Sequence, residues 1–121
     1  MANRTDLRVE RPEPGQAVVV LEGEHDLSTA EELRELLARL VTDNGVVVVD
    51  LSAARFADSM TLNVLVRAKA AADAANCTFR VQMGPDALLH RLFEVAGLIE
   101  AMDVVATRDE ALNGREGSAA A

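Results

Sequence analysis

Val46-Val47-Val48-Val49-Asp50-Leu51-Ser52-Ala53-Ala54-Arg55-Phe56-Ala57-Asp58-Ser59-Met60-Thr61-Leu62-Asn63-Val64-Leu65 is the most informative segment of this 121-residue chain. Its first six residues show no alternation of apolar and polar side chains. A short β-branched run of that kind fits a central strand covered on both faces. Residues 52–58 read as a loop carrying Phe56. A helical pattern then begins near Ser59, with Leu62, Leu65, Val66 and Lys69 spaced along it. It ends in the alanine-rich residues 70–75, and Asn76 is the expected stop.

Working toward the N-terminus, Asp43-Asn44-Gly45 separates the valine run from a second helical pattern over residues 29–41. Leu33, Leu36, Leu37 and Leu40 fall on one face of it, and Glu32, Arg34, Glu35 and Arg39 on the other. Ser28 with Glu31 three residues on has the spacing of a capping box, and Gly45 suits a left-handed helix end. Gly23-Glu24-His25-Asp26 reads as a polar loop. Residues 17–21 are apolar and β-branched, and Leu7 and Val9 alternate with polar neighbours. The intervening Pro12-Glu13-Pro14-Gly15-Gln16 is turn chemistry, so the two runs predict an antiparallel hairpin.

Toward the C-terminus, Phe79, Val81 and Met83 alternate as a strand, broken by Gly84-Pro85. Leu88, Leu89, Leu92, Phe93 and Ala96 define a third helix ended by Gly97. Met102, Val104 and Val105 suggest a last short strand, and Thr107 or Asp109 starts a final helical turn. A hairpin followed by alternating helices and strands predicts an α/β domain, with a mixed sheet of four to five strands and three to four helices. The expected organisation is a flexible N-terminus over residues 1–6, one domain over 7–112 and a disordered tail over 113–121.

Lys and Arg number 12 against 20 Asp and Glu, a formal charge of −8. Nucleic-acid binders draw much of their affinity from neutralising phosphates, so direct nucleic-acid binding is not expected, nor is docking on an anionic membrane surface. No apolar stretch approaches the roughly 20 residues of a membrane span. The N-terminus lacks a secretory pattern, and the single Cys77 has no partner for an internal disulfide. The chain therefore reads as cytoplasmic.

Enzyme signatures are thin. The 7 glycines make no phosphate-binding loop. His25 and His90 are far apart, with no cluster of ligands for a metal, so no metal and no cofactor are expected. His25, Asp26 and Ser28 are the residue types of a hydrolytic triad but crowd one short loop, whereas triad members converge from separated segments. His90 reads as a structural histidine, Cys77 as a small hydrophobe, and Met60 and Met83 as packing residues.

Asp58 and Ser59 open the helix of the first-quoted segment, and helix capping alone accounts for an acid and a hydroxyl there. A second reading is chemical. A hydroxyl at a helix N-terminus lies near free N–H groups and the positive end of the helix dipole, where a phosphoryl group is tolerated. Such a group beside Asp58 adds about −1.5 to −2 charges and alters what a partner meets.

These motifs, in this order, resemble the STAS domain family, specifically the bacterial anti-sigma factor antagonists. Gly23-Glu24-His25-Asp26 followed by Thr29-Ala30 is similar to the family's approach to its first helix. Val48-Val49-Asp50-Leu51-Ser52 and Phe56-Ala57-Asp58-Ser59 resemble its strand and phosphorylation loop. Arg91-Leu92-Phe93-Glu94-Val95-Ala96-Gly97-Leu98 resembles its third helix and exit. The resemblance spans residues 7 to 112 and implies a partner switch. The unphosphorylated antagonist binds an anti-sigma factor, a serine kinase with bound ATP or ADP, and thereby frees a sigma factor. Phosphorylation of the serine matching Ser59 turns it off, and a phosphatase reverses this. The partner-binding residues so implied are His25, Asp26, Asp58, Met60, Thr61, Leu62 and Asn63. Apart from the resemblance, the Leu- and Val-rich composition of the surface leaves a monomer or weak dimer as the expected state. The family's Gly-Leu-Gly is here Thr61-Leu62-Asn63. Thr61 adds a second hydroxyl, ranked behind Ser59 as an acceptor. The bulkier residues leave open an alternative, a STAS scaffold module of a stress-signalling or transport assembly that is not switched.

Overall fold

The computed structural model describes residues 5–25, 27–85 and 87–114; side chains at 5, 6, 24, 25, 27, 28 and 56 lie outside the description. The expected 113–121 tail falls outside it except for Asn113 and Gly114. Five strands form one mixed sheet in the order β1-β2-β3-β4-β5. β1 (Thr5–Glu10) pairs antiparallel with β2 (Gln16–His25), as the hairpin reading anticipates. β2, β3 (Val46–Ala57), β4 (Thr78–Gln82) and β5 (Val104–Val105) run parallel. The crossovers contain α1 (Leu27–Asp43), α2 (Ser59–Ala74) and α3 (Leu88–Val95), and α4 (Arg108–Asn113) closes the chain.

Alternation along the strands sorts the interior into two layers. Ala17, Val19, Leu21, Val47, Val49, Leu51, Phe79 and Val81 join α1, α2 and α3 through Leu33, Leu37, Leu65, Leu89 and Phe93. The intervening Val18, Val20 and Val48 turn to the opposite face, where α4 packs through Ala111. Val47, Val48 and Val49 are all at 0% exposure. The valine run therefore lacks alternation because both faces are dry.

The second face also carries a polar clasp. Arg108 Nη2 donates to Asp50 Oδ2 at 2.7 Å, Nη1 to Glu10 Oε1 at 2.9 Å, and Nε to Gln82 Oε1 at 2.8 Å. Burial works against the Arg108 charge, but the bonds to Asp50 and Glu10 outweigh it and hold the guanidinium above its ordinary pKa. Arg80 adds a bond to Asp103 and another to the Ala111 carbonyl, both 2.9 Å. One helix is thus tied to β1, β3 and β4.

Helix ends follow the sequence in part. Asn76 (φ 60°) and Gly97 (φ 74°) end α2 and α3 in the left-handed conformation. In each, two amides return to the last turn: Cys77 to Ala72 and Asn76 to Asp73, Leu98 to Phe93 and Gly97 to Glu94. Gly45, expected in that conformation, does not adopt it. Its amide instead donates to the Gly15 carbonyl at 2.9 Å, joining the turn after α1 to the hairpin turn.

Four other expectations are corrected. β1 begins at Thr5, so residues 5 and 6 of the expected flexible terminus are paired. α1 begins at Leu27, which puts Ser28 inside the first turn rather than before it. The loops expected over 23–26 and 52–58 are largely strand. β2 continues through His25 and β3 through Ala57, with register shifts between Val20 and Glu22 and between Gly23 and Glu24. These irregularities aim Leu51, Ala54 and Ala57, three residues apart, at the α1/α2 core, which removes the two-residue signature of a strand. Met83 is buried as expected, whereas Met60 is 46% exposed. Burial keeps the Cys77 thiol neutral and pushes its pKa up, in line with a small core hydrophobe.

Candidate functional site

β3 extends seven residues past Asp50, its last partner to β4, and hands the chain to α2 at Asp58. β2 accompanies it, with His25 opposite Ala57. The end of β2 and the start of α2 therefore lie side by side. This register brings the His25 backbone next to the Asp58-Ser59 turn; Asp26 lies outside the described residues.

Asp58 is the N-cap of α2, with extended backbone at φ −87° and ψ −180°. Its Oδ1 accepts from the Thr61 amide at 3.0 Å and from the Thr61 hydroxyl at 3.2 Å. Its carbonyl accepts from the Leu62 amide at 3.1 Å. A carboxylate at this position meets the orphan amides and the positive end of the helix dipole together. Asp58 alone does the capping, which leaves Ser59 without a structural task.

Ser59 is the first helical residue and is exposed, and its hydroxyl makes no hydrogen bond among the described residues. Met60 at 46% exposure and Asn63 flank it on the surface. Leu62 is partly buried and packs against the core. Thr61 is the correction: at 0% exposure it presents nothing to a partner, and its hydroxyl faces Asp58 inside the protein. A threonine at the third helical position shares its face with Val64, Leu65 and Ala68, all buried. The surface here carries a hydroxyl beside an acid.

The clasp residues Asp50 and Arg108 escaped the sequence reading. An acid within a valine run was the available signal, since a charge buried to 5% exposure requires a partner. Among the described residues no group of three His, Cys, Asp or Glu side chains is placed to hold a metal. No described helix is long and apolar enough to cross a membrane.

No curated protein matches this chain significantly in sequence. Among solved structures, an anti-sigma factor antagonist from Mycobacterium paratuberculosis is 29% identical, with 93% of this chain and 94% of that one covered and a TM-score of 0.74. The anti-sigma factor antagonist SpoIIAA in its unphosphorylated form is 18% identical over 93% and 97%, with a TM-score of 0.77. The Bacillus cell fate determinant SpoIIAA in the phosphorylated form is 18% identical over 88% and 96%, at 0.71. A sulfate transporter family protein from Wolinella succinogenes is 17% identical over 85% and 86%, also at 0.71. These likenesses agree with the five-stranded mixed sheet and four helices. The profile described as Mlab, STAS domain, matches residues 9–106, and with the fold and its α2 turn in place the chain belongs to the STAS domain family.

Proposed function

We propose that this chain is an anti-sigma factor antagonist, a regulatory binding protein switched by phosphorylation of Ser59. The observation that carries the reading is the division of labour at the start of α2. Asp58 caps the helix, Thr61 braces the cap from inside, and Ser59 stands exposed between them. In the forward step the Ser59 oxygen attacks the γ-phosphorus of the kinase's ATP. ADP leaves, and the hydroxyl proton passes to a base of the kinase. The chain supplies only the acceptor and binds no nucleotide itself.

The unphosphorylated face would present Ser59, Met60 and Asn63, with the His25 end of β2 beside them, to an anti-sigma factor. A phosphoryl group adds about −1.5 to −2 charges next to Asp58 on a chain already at −8. Juxtaposed like charges at an interface cost several kcal/mol, and each 1.4 kcal/mol is tenfold in affinity. The partner is therefore released with the domain intact. The relation to an anti-sigma factor antagonist at 29% identity supports this reading.

Incubation with the cognate kinase and ATP, followed by mass spectrometry of the peptide spanning 56–67, should add one phosphate that Ser59→Ala abolishes. Ser59→Asp should weaken anti-sigma factor binding at least about tenfold by calorimetry. A phosphate retained in Ser59→Ala, or unchanged affinity in Ser59→Asp, defeats the proposal. A second reading, an unswitched module of a transport assembly, draws on the Wolinella relative and on Asn63 in place of the family glycine. Capture of a transporter with no kinase would favour it.

A further inference from the structure

α3 buries only Leu89 and Phe93 and turns large apolar side chains outward: Leu88 is 67% exposed, Leu92 38% and Val95 80%. Spaced four and three residues apart, these three form one stripe on an eight-residue helix. Isolated exposed apolar residues are ordinary, but a contiguous stripe marks an interaction surface. Arg91 and Glu94 border the stripe on the same flank, both exposed and both without an ion-pair partner among the described residues.

We propose that this stripe is a self-association surface on which α3 packs antiparallel against α3 of a second copy. The residue pattern selects that occupant. A two-fold axis passing between Arg91 and Leu92 sets each Leu88 against the Val95 of the second copy, and the two Leu92 side chains beside each other. Antiparallel packing also brings like flanks together, so each Arg91 lies within reach of the other copy's Glu94. The stripe thus complements itself in shape and in charge, as an isologous interface must. A parallel arrangement offers neither match. The contact is one short helix per copy, smaller than a standard interface of about 800 Å² a side, so the association is weak. It shares no residue with the α2 surface, and the pair presents that surface twice.

Sedimentation velocity of the full chain between about 10 µM and about 1 mM should show a monomer–dimer equilibrium with a dissociation constant inside that range. Leu88→Lys should abolish it; the side chain is mostly exposed, so far-UV circular dichroism and melting temperature should stay unchanged. Arg91→Glu should weaken it at least about fivefold, and Arg91→Glu with Glu94→Arg should restore it. A monomer at about 1 mM overturns the proposal. So does association indifferent to Leu88→Lys, or failure of the double swap to recover what Arg91→Glu loses. Binding of the stripe only to a different protein overturns it as well. None of these readouts depends on phosphorylation, so they stand apart from the fate of Ser59.

Discussion

Two helices of this domain begin in the same way and end up with different freedoms. α2 has Asp58 as its cap, Ser59 as its first residue and Thr61 at the third position; α4 has Thr107, Arg108 and Glu110 in the same places. At α4 every one of these groups turns inward or onto its neighbour. Thr107 and Glu110 form a reciprocal capping box, and Arg108 reaches back to Asp50, Glu10 and Gln82. At α2 the cap and its brace are closed, while the first residue is left facing water. The same capping logic therefore yields a locked end and an end with a spare hydroxyl. What separates them is whether the first helical side chain is long enough to find a buried countercharge.

The hardest test of this contrast is Arg108→Ala. It removes three bonds at once and leaves Asp50 buried with, among the described residues, only the Ser52 amide and hydroxyl as donors. Losing one partner of a fully buried pair costs about 3–5 kcal/mol. Arg108 keeps 36% side-chain exposure, so we expect about 2–3 kcal/mol, read as a lower urea midpoint at unchanged slope. A loss no larger than that of a surface alanine would mean that α4 is not locked by the clasp. Next come the two caps: Asp58→Ala and Thr107→Ala should each cost about 1 kcal/mol. Similar losses sharpen the claim that both ends are capped alike. A silent Asp58→Ala would return the capping task to Ser59. Smallest is Ser59→Ala, expected within about 0.5 kcal/mol of the parent because the hydroxyl supports nothing. A loss matching that of Asp58→Ala would erase the difference between the two ends.

The long-range features were the ones hidden from a linear reading. Arg108 meets partners 26, 58 and 98 positions away, and nothing local to Thr107-Arg108-Asp109 marks it as anything but a solvated charge. The outer half of β3 was equally obscure. Ser52, Ala53, Ala54 and Arg55 are weak strand formers, and their pairing is imposed by β2 alongside. At the site, the acid, the hydroxyl and the helix start were legible, because capping chemistry is local. Which of Ser59 and Thr61 faces water was not, since both are small hydroxylated residues two positions apart.

From its residues alone the chain specified the order of its helices and strands, that the valine run is interior, and that Asp58-Ser59 opens a helix. Periodicity and capping act over a few neighbouring residues, so a linear text records them. Only the folded chain determined that β3 runs on to Ala57, that Asp50 and Arg108 neutralise each other, and that Thr61 is inside while Ser59 is outside. Those outcomes depend on which distant segment supplies the pairing strand, the countercharge or the covering side chain, and that is set by packing in three dimensions.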